Sequence, residues 1–377
     1  MYRLVQRRGI IGLFCLLFVA SSVVPGWAQK DNRFEVSKNL DIFNSLLKEV
    51  EMFYVDSVDV DKTVQRGIEA MLAGLDPYTE YYPEQKTEEL SLMTTGEYGG
   101  IGSLIRQRNN EGGVMIAEPT EGMPADLAGL KPGDLILAID TIDVSKATNS
   151  RVSELLKGVP NTKMVLTIQR PGEKKPRKFE ITRKQITTPQ VTYYGVKNDS
   201  IGYIYLKAFT IKSAQEVKEA FLDLKKNHNI KSLVLDLRGN GGGVLEGAVQ
   251  IVGMFVPKGS EVLSTKGKIK QWDRTYRTST EPLDTVMPLA ILINGGTASA
   301  AEIVSGSLQD MDRAVLVGQR SFGKGLVQAP RDLPYNGKVK ITMSKYYIPS
   351  GRCIQQIDYS HRKEDGSVAA IPDSLTS

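Results

Sequence analysis

From about residue 188 onward, short apolar runs alternate with amphipathic stretches, and that alternation leaves few folds open. Ile201–Leu206, Ser232–Leu237, Leu289–Asn294 and Ala314–Val317 read as strands, and Ser213–Asn227, Gly247–Phe255 and Ala298–Met311 as helices. Ser232–Leu237 is almost wholly apolar, as a strand covered on both faces must be. Strand and helix in repetition imply an α/β layer with crossover connections. The upstream texture differs. Between about Thr95 and Ile186 the β-rich runs Gly100–Arg106, Val114–Ala117, Asp134–Ile139 and Lys163–Gln169 are separated by turn signals at Asn109-Asn110, Gly112-Gly113 and Lys131–Asp134. Short helices fit at Pro124–Ala128 and Asn149–Leu156. Residues 34–90 read as helical, with Leu40, Phe43, Leu46, Leu47 and Val50, then Val64, Ile68, Met71 and Leu72, at three- and four-residue spacing. Asp61 fits as an N-cap and Gly74 as a stop. The expected class is α+β multidomain: a helical region (34–94), a β-rich module (95–186), a layered α/β domain (187–358) and a polar tail (359–377).

The first 28 residues read as a signal peptide. Arg3, Arg7 and Arg8 precede an apolar run, Gly9 to Val24, and Gly26 and Ala28 supply small residues before a cut. An uncleaved anchor is the alternative; Cys15, preceded by Phe14 within the apolar run, does not suit a lipoprotein. The remainder is expected to be exported, to the periplasm or the cell envelope. Without those three arginines little remains of the formal net charge of +5, so the balance does not call for nucleic acid. The run Lys174-Lys175 with Arg177-Lys178 reads as a solvated turn. Cys353 would have no partner once the leader is gone, and no intrachain disulfide is expected.

The residues that could carry chemistry are few. His228 and His361 are the two histidines, and neither has an HExxH or paired CxxC neighbourhood. A Ser-His-Asp triad has little to draw on, and Cys353 has no nearby histidine. The strongest local feature is Asn294-Gly295-Gly296-Thr297-Ala298-Ser299-Ala300-Ala301-Glu302, where a strand turns sharply into a helix. A serine there sits where backbone N–H groups are unpaired and the helix dipole favours negative charge, and the Ala300 amide could donate to an oxyanion. A plain turn, with Thr297 as N-cap and Glu302 in the first turn, explains the same residues. A second tight loop, Arg320-Ser321-Phe322-Gly323-Lys324-Gly325, sets a lysine between glycines. A lysine serves as base once burial lowers its pKa, and Phe322, Leu326 and Val327 could supply that burial. An exposed or phosphate-binding lysine is the alternative, although the Walker pattern is absent. A third cluster, Asp236-Leu237-Arg238-Gly239-Asn240-Gly241-Gly242-Gly243, could offer a further oxyanion donor, or could be an ordinary turn or anion nest.

These motifs, in this order, resemble the carboxy-terminal processing peptidases, or tail-specific proteases, of the Ser/Lys-dyad type. The resemblance covers roughly residues 38–357. It takes in Tyr54-Val55-Asp56, Met71–Thr79, Gly99-Gly100-Ile101-Gly102, Gly129–Asp134, the three glycine-built turns and Tyr346–Arg352. It implies a PDZ-like module followed by a crotonase- or ClpP-like layered peptidase domain. The family's nucleophile falls on Ser299, its general base on Lys324, and the glutamine that orients the lysine amine on Gln328. Its oxyanion donors fall on the amides of Ala300 and Gly242. Gly241 stands where a proline is more usual, which leaves the register of the second donor open by one residue. The resemblance implies no metal and no cofactor.

The resemblance also implies protein or peptide substrates with free C-terminal tails. An extended tail would add as a strand, its carboxylate held by amides around Tyr98, Gly99, Gly100, Ile101 and Gly102, with Ile101 and Leu104 lining an apolar pocket. These glycines would otherwise serve a β-turn. A homodimer through the N-terminal helices and an adaptor protein are further expected partners; no nucleic acid is. Family members usually continue past the Tyr-Ile-Pro-Ser-Gly-Arg segment into a terminal region with a Gly-Ile-x-Pro-Asp element, while this sequence stops after Ile371-Pro372-Asp373-Ser374-Leu375-Thr376-Ser377, so a truncated chain is expected here. The competing readings are a non-catalytic periplasmic PDZ scaffold and a crotonase-like acyl-transfer enzyme, the second disfavoured by the PDZ segment and the export signal.

Overall fold

The computed structural model describes residues 32–108, 112–363 and 366–371. The leader at 1–28, the Asn109-Asn110 turn and Pro372–Ser377 lie outside them. The chain divides into two compact units, residues 1–67 and 68–377. In the first, Arg33–Phe53 is a helix of 21 residues, none of them buried. A second helix, Val60–Ala73, begins two residues earlier than an Asp61 cap would place it. Asp59, not Asp61, takes the capping position, accepting from Lys62 N at 3.1 Å. No described helix is long and apolar enough to cross a membrane.

The second unit contains three sheets that matter here. Ser103–Gln107, Val114–Pro119, Leu135–Ile139, Lys163–Gln169 and Arg177–Thr182 form an antiparallel sheet in that order. Inward residues Val114, Ile116, Ile136, Leu166 and Ile168 are fully buried and pack with Val152 and Leu156 of the helix Asn149–Leu156. The run expected as one strand from Gly100 to Arg106 is two. Glu97–Gly100 pairs with Lys184–Thr187, and Ser103 starts the edge strand after a break at Ile101-Gly102.

A mixed sheet orders Val191–Lys197, Ile201–Leu206, Ser232–Asp236, Leu289–Ile293 and Val315–Gly318. Its first pair is antiparallel and the rest parallel. The crossovers carry the helices Ser213–Asn227, Leu245–Gly253 and Ala300–Asp310. Phe221, Leu224, Leu233, Leu235, Ile251, Val252, Ile291 and Val304 make one core between strands and helices. Such packing is the dominant favourable term in folding, at about 25 cal/mol per Å² of apolar area removed from water.

The third sheet is antiparallel and was not expected. Lys338–Tyr347 pairs with Glu80–Tyr82, Glu261–Gly267 and Leu326–Asp332, and Arg274–Arg277 extends it. Glu80–Tyr82 therefore corrects the helical reading of residues 34–90: this stretch leaves the helices and joins a sheet whose partner lies some two hundred and sixty residues away. Local periodicity carries no information about such a pairing.

Candidate active site

Leu289–Ile293 ends at a turn that is tied to its neighbour. Asn294 Oδ1 accepts from Gly296 N at 3.0 Å and from Gly239 N at 2.9 Å. Thr297 Oγ1 donates to Leu237 O at 2.8 Å, and Ala298 N donates to Asn240 O at 2.9 Å. Thr297 is thus a strap across two strand ends, not the helix cap; Ser299 holds that position, immediately before Ala300–Asp310. Ser299 has φ +54° and ψ −118°, a conformation that costs a serine about 1–3 kcal/mol. Its strain is held by the turn around it. Among the described residues the Ala300 N–H has no acceptor, so it is free to donate at the N-terminus of the helix.

The lysine loop folds onto the same point. Phe322 N donates to Thr297 O at 2.9 Å. Glu302, 2% exposed, accepts from Ser299 N at 2.8 Å, Gly323 N at 2.6 Å and Lys324 N at 2.9 Å. Tyr346, fully buried, donates its hydroxyl to Lys324 O at 2.8 Å and Ser299 O at 3.2 Å. One buried carboxylate and one buried phenol therefore stitch the Ser299 turn to the Lys324 turn. Burial pushes the Glu302 carboxyl above its ordinary value, against the pull of the three N–H groups toward the charged form. The sequence reading treated Glu302 as a first-turn residue and Tyr346 as part of a motif. The spacing Ser299-x-x-Glu302 was visible, but its reach to a loop beyond the next strand was not.

Lys324 carries a pKa drawn down to about 8. Burial is the main cause and the Lys340 ammonium the next, while Asp76, Glu80 and Glu302 pull the other way. Its Nζ lies over the Tyr78 ring, 4.3 Å from the centroid. Among the described residues no hydrogen bond joins Nζ to Ser299 Oγ or to Gln328. Gln328 Nε2 instead donates to Thr342 Oγ1 at 3.0 Å. The structure thus brings the Ser299 and Lys324 backbones to one carboxylate, while the lysine amine and Gln328 face other partners.

The glycine cluster forms the opposite wall. Gly242, at φ +93°, approaches the Ser299 turn so closely that a Cβ there would lie 2.8 Å from Ser299 Cβ and 2.9 Å from Ala300 N. Its N–H, however, donates to Asn240 Oδ1 at 2.9 Å, and Asn240 is fixed in turn by Nδ2 to Leu206 O at 2.8 Å. The expectation of Gly242 as second oxyanion donor is corrected on this geometry, because its hydrogen is already bonded. Gly241 and Gly243, one residue either side, have N–H groups with no acceptor among the described residues.

The β-rich module places its candidates along one edge. The N–H groups of Ile101 and Gly102 have no acceptor among the described residues, beside the edge strand Ser103–Gln107 and the helix Asn149–Leu156. Gly99 meets Gly158 backbone: a Cβ would sit 1.8 Å from Gly158 O. Tyr98 lies beneath Lys157 Nζ at 5.4 Å. Leu104 is 56% exposed, as a pocket residue can be, but Ile101 is 3% exposed and packs into the module's core. Ile101 offers its amide to this edge, and its side chain packs with Val114, Ile116 and Ile136 in the module's core.

Residues 200–360 match the model of peptidase family S41, and residues 115–170 match that of a PDZ domain. Over 345 residues the chain is 36% identical to a carboxy-terminal-processing protease of Bartonella bacilliformis, which takes in 91% of this chain and 77% of that protein. It belongs to peptidase family S41. As an S41 member it is a serine protease with a PDZ domain ahead of its peptidase domain. It is also 33% identical over 320 residues to a "Probable CtpA-like serine protease" of Staphylococcus aureus, 84% of this chain but 62% of that protein, so it spans less than two thirds of that relative. Among solved structures it is similar to a photosystem II D1 C-terminal processing protease, with 29% identity, 82% of each chain covered and a TM-score of 0.45.

Proposed function

We propose that this S41 peptidase captures the free C-terminal tails of exported proteins on its PDZ domain and cleaves them through an acyl-enzyme on Ser299, with Lys324 as general base. The observation that carries the reading is the shared brace: the Glu302 carboxylate and the Tyr346 hydroxyl hold the Ser299 and Lys324 turns to one another. Neutral Lys324 takes the proton of Ser299 Oγ, and the oxygen attacks a peptide carbonyl carbon. The Ala300 amide and a free amide of the Gly241–Gly243 loop receive the developing oxyanion. When the C–N bond breaks, the lysine ammonium gives its proton to the leaving amine. Water then attacks the ester, its proton passing to Lys324; as the Oγ–C bond breaks and the acid leaves, the lysine ammonium returns that proton to Ser299 Oγ. The base works only when neutral, and a pKa of about 8 makes that form accessible near neutral pH.

The free amides of Ile101 and Gly102 support capture of a terminal carboxylate, and the edge strand Ser103–Gln107 supports strand addition of the tail. The exposed apolar residues of Arg33–Phe53, among them Phe34, Leu40, Phe43 and Leu46, support pairing of two copies. A non-catalytic scaffold is favoured by one observation, the Lys324 amine lying on Tyr78 without a bond to Ser299. Digestion of an unfolded protein by wild type, Ser299→Ala and Lys324→Ala separates the two. The dyad requires cleavage by wild type and a loss of about a thousandfold or more in each variant. Equal cutting by all three removes it, and tail binding without cutting by wild type establishes the scaffold.

A further inference from the structure

The ring face under Lys324 is held in place more firmly than a chance contact would be. Asp76, 7% exposed, accepts from Tyr78 N and Thr79 N, both at 2.8 Å, and from Thr79 Oγ1 at 3.0 Å. Thr342 N donates to Thr79 Oγ1 at 3.2 Å, and the following strand Glu80–Tyr82 is paired to Lys338–Lys340. Tyr359 packs edge-on against the Tyr78 ring at 5.9 Å. Against this fixed ring the Lys324 amine makes the shortest cation-to-ring approach among the described residues.

The groups that could otherwise take the amine are engaged. Glu80 is bound by Lys340 and by Tyr82 Oη. Asp76 is filled by its own turn, and Glu302 by three backbone amides. Gln328 donates to Thr342. The charge on a largely buried lysine is thus met by the negative face of one aromatic ring.

We propose that Tyr78 is a positioning residue whose ring holds the protonated Lys324 amine at rest, off Ser299, and releases it on deprotonation. The attraction exists only for the cation. The amine that loses its proton therefore loses its hold on the ring in the same event, and becomes able to accept the proton of Ser299. The reading rests on the Ser299/Lys324 dyad. It explains why Ser299 and Lys324 share a brace yet are not hydrogen-bonded to each other in the resting arrangement. The charged and titratable groups facing the amine are Lys340, Asp76, Glu80, Glu302 and Tyr78 itself, with Tyr359 behind the ring. Of these, Lys340 and burial favour the neutral amine, and the ring works against them.

The sign follows. Removing the ring destabilises the ammonium, so the acid limb of the rate profile moves to lower pH. The test uses the full chain as wild type, Tyr78→Phe and Tyr78→Leu. It reads the pH dependence of kcat/KM on an unfolded protein and of Ser299 labelling by a fluorophosphonate. Tyr78→Leu should move the acid limb down by about half to one and a half pH units, while Tyr78→Phe, which keeps the ring, holds the wild-type limb. An unmoved limb in Tyr78→Leu overturns the proposal. So does an equal shift in Tyr78→Phe, or a folded Tyr78→Leu that is unlabelled at every pH. Should Tyr78→Leu not fold, Tyr78→Trp offers a stronger face and must move the limb up; no movement overturns the idea. Failure of the dyad itself shows differently, as persistent cleavage by Ser299→Ala and Lys324→Ala.

Discussion

Glu302 sits three residues after Ser299 and is nearly inaccessible, yet it accepts hydrogen bonds from two separate turns. Replacing it by alanine leaves three N–H groups without their acceptor, at a cost of about 1–3 kcal/mol for each that water does not reach. Glu302→Ala should lower unfolding free energy by about 3 kcal/mol or more, measured by urea titration, and should abolish fluorophosphonate labelling of Ser299. Glu302→Gln, which keeps one acceptor oxygen, should fall between the two. At this scale the turns that carry Ser299 and Lys324 were legible as turns, because glycine makes each unusual. Glu302, Tyr346 and Tyr78 were not, since nothing local distinguishes a capping glutamate from a bridging one, or a tyrosine in a loop from a tyrosine beneath an amine.

Elements show the same division. Lys163–Gln169, Ile201–Leu206, Ser213–Asn227 and Asn149–Leu156 have the bounds that periodicity assigns them, because each buries one regular face. Lys338–Tyr347 alternates lysine, threonine and serine with mostly half-buried apolar residues, and its partners come from three segments, two of them distant in the chain. Its strand character is a product of tertiary pairing, which sequence pattern reads poorly. The glycine loop after Ser232–Asp236 is an element whose shape is demanded by its neighbour. Gly242→Ala would force a methyl against Ser299 and Ala300 from a backbone at positive φ. We expect a fall in kcat/KM of about a hundredfold or more with the PDZ module still binding tails, checked by digestion and tail-peptide titration of the same preparation.

For the whole molecule, the PDZ module is joined to the peptidase domain by two chain segments that pair with each other, Glu97–Gly100 against Lys184–Thr187. Glu97 is bound by Lys212 of the peptidase domain, and Ile211 N donates to Thr94 O at 3.0 Å. The Ile101 and Gly102 amides thus lie a few residues from a strand pair anchored on the peptidase domain. Amidating the C-terminus of a tail peptide should weaken binding to Ser299→Ala by about tenfold to a hundredfold, as loss of a charge-assisted hydrogen bond implies. Fluorescence anisotropy on the full chain reads this directly, and unchanged affinity removes carboxylate capture from these amides.

The brace between the two turns has one more consequence. Ser299 and Lys324 are separated along the chain by the helix Ala300–Asp310 and the strand Val315–Gly318, but their geometry is set by side chains that clasp both ends. The intervening path is therefore a tether and not a ruler. Residues inserted at the Met311–Arg313 turn should lengthen the route between Ser299 and Lys324 without moving either. Glu302 and Tyr346, and not the number of residues between the two turns, are where the distance is kept.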